Sequence, residues 1–185
     1  MSQIYGAVEF RVGGEWYDVV NVSSLLLQHY DLNACLFGVD NYANFVPLFA
    51  ERGVPGDCGV NLSERVAEYV RGDSSPSWVG YGELLRVNWD ELALTRDRRV
   101  SEFVVCGDGR ERLAGKWLNK SGYDWVCQVL ETEQEVVVGD RVFRRPVLRR
   151  SDAIVGTEFG LLMKLMGCLA ERFGDDGVRL VVWFG

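Results

Sequence analysis

His29, the one histidine in this 185-residue chain, precedes Tyr30 and Asp31, and an imidazole beside a carboxylate is how a general base is built. A base needs a nucleophile to act on, and the sequence nominates none beside it. His29 therefore reads as a partly buried or helix-capping residue. Cys35 or Cys58 could reach it only through the fold. The five cysteines, Cys35, Cys58, Cys106, Cys127 and Cys168, are odd in number and widely spaced, with no C-x-x-C. With a single histidine they lack zinc-ligand spacing, so the expectation is reduced, mostly buried thiols and no metal site. The stretch "GDGRERLAGK" (107–116) puts glycines before a lysine, but Gly109 to Gly115 is one residue too long for a phosphate loop and Trp117 follows Lys116. A hairpin turn is the better reading. Asp175-Asp176 falls in the turn after a helix, where solvated turn chemistry accounts for it. No catalytic residue, metal ligand or cofactor is assigned.

Binding chemistry is better represented. Tyr42, Phe45, Phe49, Trp78, Tyr81 and Trp89 lie in and around two glycine- and proline-rich loops, 41–61 and 72–83, which also carry Arg52, Asp57 and Glu83. Aromatics beside arginine make interface hot spots and can stack a nucleobase. The plainer account is a long loop folded over the sheet, pinned by Phe45 and Phe49, with Arg52 paired to Asp57 or Glu51. Arg141, Arg144, Arg145, Arg149 and Arg150, with Arg96, Arg98 and Arg99, form two basic runs. A solvated strand face laced with ion pairs explains them, and a phosphate-bearing or acidic ligand is the alternative. The whole chain sets 20 Lys and Arg against 27 Asp and Glu, a net charge of -7, which disfavours nucleic acid as a partner.

The elements that must position these residues are legible in part. A single globular domain spanning 1–185 is expected from length and composition. "QIYGAVEFRVGGEWYDVV" predicts strands at 3–12 and 15–20 around Gly13-Gly14. Short helices are predicted near 31–38, from Asn61 or Ser63 to Gly72 with Val66, Ala67 and Val70 as its stripe, and around 81–87. Residues 100–106 read as a strand, "YDWVCQVLET" is ambiguous, and "EVVVGDRVFRRPV" is a second hairpin. A core helix of about 20 residues should start at Ser151 or Asp152 and end at Gly174. "VRLVVWF" should follow as a central strand covered on both faces. The fold class is α+β: a largely antiparallel sheet backed by the long C-terminal-region helix, with long aromatic-rich loops. Residues 153–170 are interrupted by Glu158 and Lys164 and do not read as a membrane span.

The segments "VEFRVGGEW", "YDLNACLFGV", "NFVPLFAERGVPGD", "SWVGYGELLRVNWDE" and "AERFGDDGVRLVVWF" together resemble a family of uncharacterised bacterial and bacteriophage proteins whose members usually begin M-G-C-D-I-H. Arg52, Gly53, Pro55 and Asp57 match its loop, Ser77, Trp78, Glu83 and Leu84 its second segment, and Val178 to Phe184 its closing strand. Gln3 and Tyr5 stand where that family has Asp and His. The resemblance implies a phage or bacterial accessory protein but brings no activity with it.

The function expected is that of a non-enzymatic binding protein in the cytoplasm, the host's if phage-encoded, with host takeover or counter-defence as possible settings. Its partner would be a host protein or a small anionic or nucleotide ligand, with no membrane role. The binding residues expected are Tyr42, Phe45, Arg52, Asp57, Trp78, Tyr81 and Glu83. The alternative is a hydrolase or nucleotide-processing enzyme using His29 or loop carboxylates.

Overall fold

The computed structural model describes residues 2–26, 29–69, 76–155 and 157–185. Val70, Gly72 and the 72–75 part of the second loop lie outside them. In chain order the elements are β1 (Ile4–Val12), β2 (Glu15–Asn21), α1 (Tyr30–Phe37), α2 (Val60–Tyr69), β3 (Ser77–Gly80), α3 (Tyr81–Leu84), β4 (Val100–Val105), β5 (Glu111–Trp117), α4 (Asp124–Val129), β6 (Glu135–Val138), β7 (Arg141–Arg144), α5 (Phe159–Phe173) and β8 (Val178–Phe184). The chain forms two compact units: Met1–Asn41, Val46–Glu91 and Arg149–Gly185 make the first, and Tyr42–Phe45 with Leu92–Leu148 the second.

In the first unit the sheet order is β2-β1-β8-β3, all antiparallel. Gly13 and Gly14 take φ of 61° and 93°, the positive values a two-residue hairpin turn demands, so the predicted β1–β2 turn is present. Every residue of β8 is buried. Its alternate side chains serve opposite faces. Val181 and Trp183 pack with Ala7 of β1 and with Leu62 and Val66 of α2. On the other side α5 contacts β1 and β8, and Phe173 stacks on Phe10 with ring centroids 4.6 Å apart. A strand covered on both faces explains the near-continuous apolar run.

The second unit has its own antiparallel sheet, ordered β5-β4-β7-β6, over Val100, Val126, Leu130, Val136 and Phe143. The α+β class and antiparallel pairing hold, while the strands divide between two four-stranded sheets because residues 92–148 gather a separate hydrophobic cluster. α4 resolves the ambiguous "YDWVCQVLET" as helix.

Three predicted elements shift. The core helix begins at Phe159, not at 151 or 152, because Arg150–Ala153 forms a tight 3-10 turn in which the Asp152 carboxylate accepts from the Arg149 backbone N–H at 2.7 Å. That turn is anchored by the buried Arg150, which donates to the carbonyls of Cys35 and Val46, both at 2.7 Å. The predicted helix at 81–87 contracts to one turn. Ser77–Gly80, read as loop, is the edge strand β3, too short to show alternation. The cysteines are free, but only Cys35 is buried; Cys58 and Cys127 are half-buried and Cys106 and Cys168 exposed, which corrects the expectation of mostly buried thiols.

Asn33 of α1 is fully buried, and neither atom of its amide has a partner among the described residues. An unpaired buried amide costs about 1–3 kcal/mol, and leucine has the better helix propensity. Asn33→Leu should hold stability or raise it by about 1 kcal/mol in urea unfolding; a loss above about 2 kcal/mol contradicts this.

Candidate binding cleft

The site is built on a charge in the middle of an apolar strand. Arg179 of β8 lies directly opposite Glu9 of β1 in the sheet register, and the two are 4% and 0% exposed. Arg179 Nε donates to Glu9 Oε2 at 2.7 Å, and Nη1 donates to Asp57 Oδ1 at 2.7 Å. Glu9 Oε1 accepts from the Gly59 backbone N–H at 2.9 Å. Asp57 Oδ2 accepts from the indole N–H of Trp16 at 2.9 Å. Gly59 is required by this approach: a Cβ there would lie 2.6 Å from the Trp16 carbonyl oxygen and 3.1 Å from Glu9 Oε1.

Around Arg179 cations and rings alternate. From Arg11 through Trp16, Arg179, Trp78 and Arg52 to Phe49, the guanidinium-to-centroid distances run 5.5, 3.8, 5.9, 5.0 and 4.7 Å, all within cation–π range. Arg52 forks onto Glu83 at 2.8 and 2.9 Å, and Glu83 also accepts from the Gly80 N–H at 2.9 Å. This corrects the expected pairing of Arg52 with Asp57 or Glu51: its partner is thirty-one residues away, on α3. The loop itself is held by buried Phe49, by the Ser77 hydroxyl donating to the Phe49 carbonyl, and by the Gly53 N–H on the Pro76 carbonyl at 3.1 Å.

Of these groups Trp16, Arg52, Asp57, Trp78, Gly80, Glu83 and Arg179 line an open cleft of about 610 Å³, together with Val54, Pro55, Gly56, Val178 and Asp176. The charged side chains at its surface are Arg52 and Arg179 against Asp57, Glu83 and Asp176. Asp57 is 61% exposed at its side chain, and Asp176 has no partner among the described residues. Arg179 Nη2 is buried without a hydrogen-bond partner among the described residues.

Four of the expected binding residues, Arg52, Asp57, Trp78 and Glu83, come together here. Tyr42 and Phe45 do not: they belong to the second unit, where Phe45 is buried and Tyr42 lies 5.1 Å from the Arg99 guanidinium. Tyr81 does not line the cleft; its hydroxyl sits over Gly167 of α5, 2.8 Å from where a Cβ would be. Trp16, Arg179 and the underlying Glu9 were missed by sequence reasoning. The available signal was a lone arginine inside "VRLVVWF", since a charge in a doubly covered strand must have a buried carboxylate.

His29 Nε2 lies 2.6 Å from Glu158 Oε2, and among the described residues no serine or cysteine is hydrogen-bonded to it. Burial pushes the thiols of Cys35 and Cys58 up to about 12, so they are protonated at neutral pH. Among the described residues no three His, Cys, Asp or Glu side chains are grouped to hold a metal, and no helix is long and apolar enough to cross a membrane. Gln3 and Tyr5, the positions that depart from the M-G-C-D-I-H pattern, meet each other, the tyrosine hydroxyl donating to Gln3 Oε1 at 3.2 Å. Most of the later basic run is engaged: Arg141 with Glu102, Arg144 with Glu111 and Glu135, Arg145 with Glu131, and Arg150 with Glu91. Comparison with known protein families, curated proteins and solved structures finds no match.

Removing one partner of a buried pair strands the other charge. Glu9→Gln should therefore cost about 3 kcal/mol in urea unfolding, whereas Glu9→Leu combined with Arg179→Met should recover most of that loss. Equal losses in both would show that the pair itself is not the source. Acid should act on the same network. Hydrogen bonds from Arg179 hold the Asp57 carboxyl below its ordinary 3.8, and those from Arg52 hold Glu83 below its ordinary 4.5. A depressed folded value means the stabilisation is complete above the unfolded value and is lost as pH falls through the folded one. The urea midpoint should decline below about pH 4, and less steeply in Asp57→Asn than in the parent; identical profiles contradict the assignment.

Proposed function

We propose that the protein acts by binding a partner protein, and that the cleft bounded by Trp16 and Trp78 is its recognition site. The observation that carries this reading is the charge at the cleft mouth: Asp57 is largely exposed and Asp176 unpaired, while both arginines are already held by carboxylates. The first unit as a whole sets ten Lys and Arg against eighteen Asp and Glu. Such a field repels a phosphate-rich ligand and attracts a basic surface, which makes a protein with Lys or Arg at its contact the favoured partner over a small anion here. The half-buried Trp78 supplies the apolar anchor that hot spots use. A phage or bacterial accessory role directed at a host protein follows from the resemblance described above and rests on it.

Binding is favoured over hydrolysis because Asp57 and Glu83 are paired with Arg179 and Arg52, and His29 lies against Glu158, away from the cleft lining. Affinity capture by tagged protein from its native cells, with bound proteins identified and then titrated in purified form, tests the reading. Asp176→Ser and Trp78→Ala should each weaken the purified complex about tenfold or more, a loss of at least about 1.4 kcal/mol, and His29→Ala should leave it unchanged. Nucleotide hydrolysis by the purified chain that disappears in His29→Ala would overturn it.

A further inference from the structure

The second unit differs in charge from the first: ten Lys and Arg face nine Asp and Glu. Its basic residues are not spread evenly. Arg96, from the segment leading into β4, and Arg144 and Arg145, from the end of β7, line one pocket of about 460 Å³ with Gln134, Glu135 and Pro146. The two basic runs of the sequence, almost fifty residues apart, thus supply one concave surface.

The donors in this pocket are incompletely used. Arg144 is saturated, its Nε on Glu135 at 2.9 Å and its two terminal nitrogens on Glu111 at 2.6 and 2.9 Å. Arg145 is not: Nη1 meets Glu131 at 2.5 Å, but the buried Nε has no partner among the described residues, a cost a folded protein ordinarily avoids. Arg96 has no carboxylate partner among the described residues, and makes one long contact of 3.4 Å to the Glu133 carbonyl. The side chain of Gln134 has no hydrogen bond among the described residues. Three guanidiniums and a carboxamide therefore converge on a space whose only lining carboxylate, Glu135, is already occupied by Arg144.

We infer that this pocket binds a phosphoryl group, with Arg96 and Arg145 as the primary donors and Gln134 as a third. Guanidinium forks match phosphate oxygens in geometry and charge, and Arg96, which no carboxylate among the described residues meets, is the cation left to take a phosphoryl oxygen. Glu111 and Glu131 neutralise Arg144 and Arg145 from outside the pocket, so affinity is set at the weak, millimolar end. The site is independent of the protein-binding cleft and does not rest on it.

The test is calorimetric titration of the full chain with inorganic phosphate and, separately, with a nucleoside monophosphate. Both should bind saturably at one site with similar affinity. Arg96→Gln, at an exposed position where folding is not at stake, should weaken both about tenfold, while Arg98→Gln, exposed in the same run but outside the pocket, should leave them unchanged. No saturable binding of phosphate up to about 10 mM overturns the proposal. So does equal weakening by Arg98→Gln, which would mean a diffuse field, or binding of the nucleotide alone, which would place recognition in the nucleoside.

Discussion

A charge buried in the central strand governs the first unit. Arg179 is surrounded by β-sheet and by Trp16, and its burial is tolerable only because Glu9 stands opposite it and Asp57 reaches in from the loop. Each of those carboxylates then fixes something else. Glu9 holds the Gly59 amide, and with it the entry to α2. Asp57 holds the Trp16 indole. The loop carrying Arg52 is consequently tied at both ends, through Phe49 and Ser77 on one side and through Asp57 on the other, and Trp78 is placed where two guanidiniums face it.

Most of this cluster is scaffolding. The alternating rings and guanidiniums satisfy one another, which makes the ladder a clamp that draws the loop carrying Arg52 onto the sheet face. What the clamp leaves open is the rim: the exposed side of Asp57, the half-buried Trp78, and Asp176, which has no partner among the described residues. A cleft so composed offers electrostatic and apolar complementarity.

Much of the fold could be read from the chain because local physics decided it. Gly13-Gly14 permits one kind of turn, and the apolar β8 run requires cover on both faces. Arg52, Asp57, Trp78 and Glu83 stood out because polar groups interleaved with aromatics on glycine-rich loops have few structural explanations. Tyr42 and Phe45 looked identical by that criterion, yet the chain passes from one unit to the other between Phe45 and Val46, a long-range division that no local pattern encodes. Trp16 and Arg179 were hidden for a related reason. Their roles depend on the β1–β8 register, which joins residues 170 positions apart. The start of α5 was misplaced because Asp152 is a good capping residue that caps a different turn.

The central claim is that the surface around Trp78, Asp57 and Asp176 is where a partner protein sits. Hydrogen–deuterium exchange of the chain, free and in complex with the protein it captures, addresses this most directly. The account predicts new protection at residues 52–57, 76–84 and 175–179 with β4–β7 unaffected; protection confined to the second unit, or absent from those three segments, would contradict it.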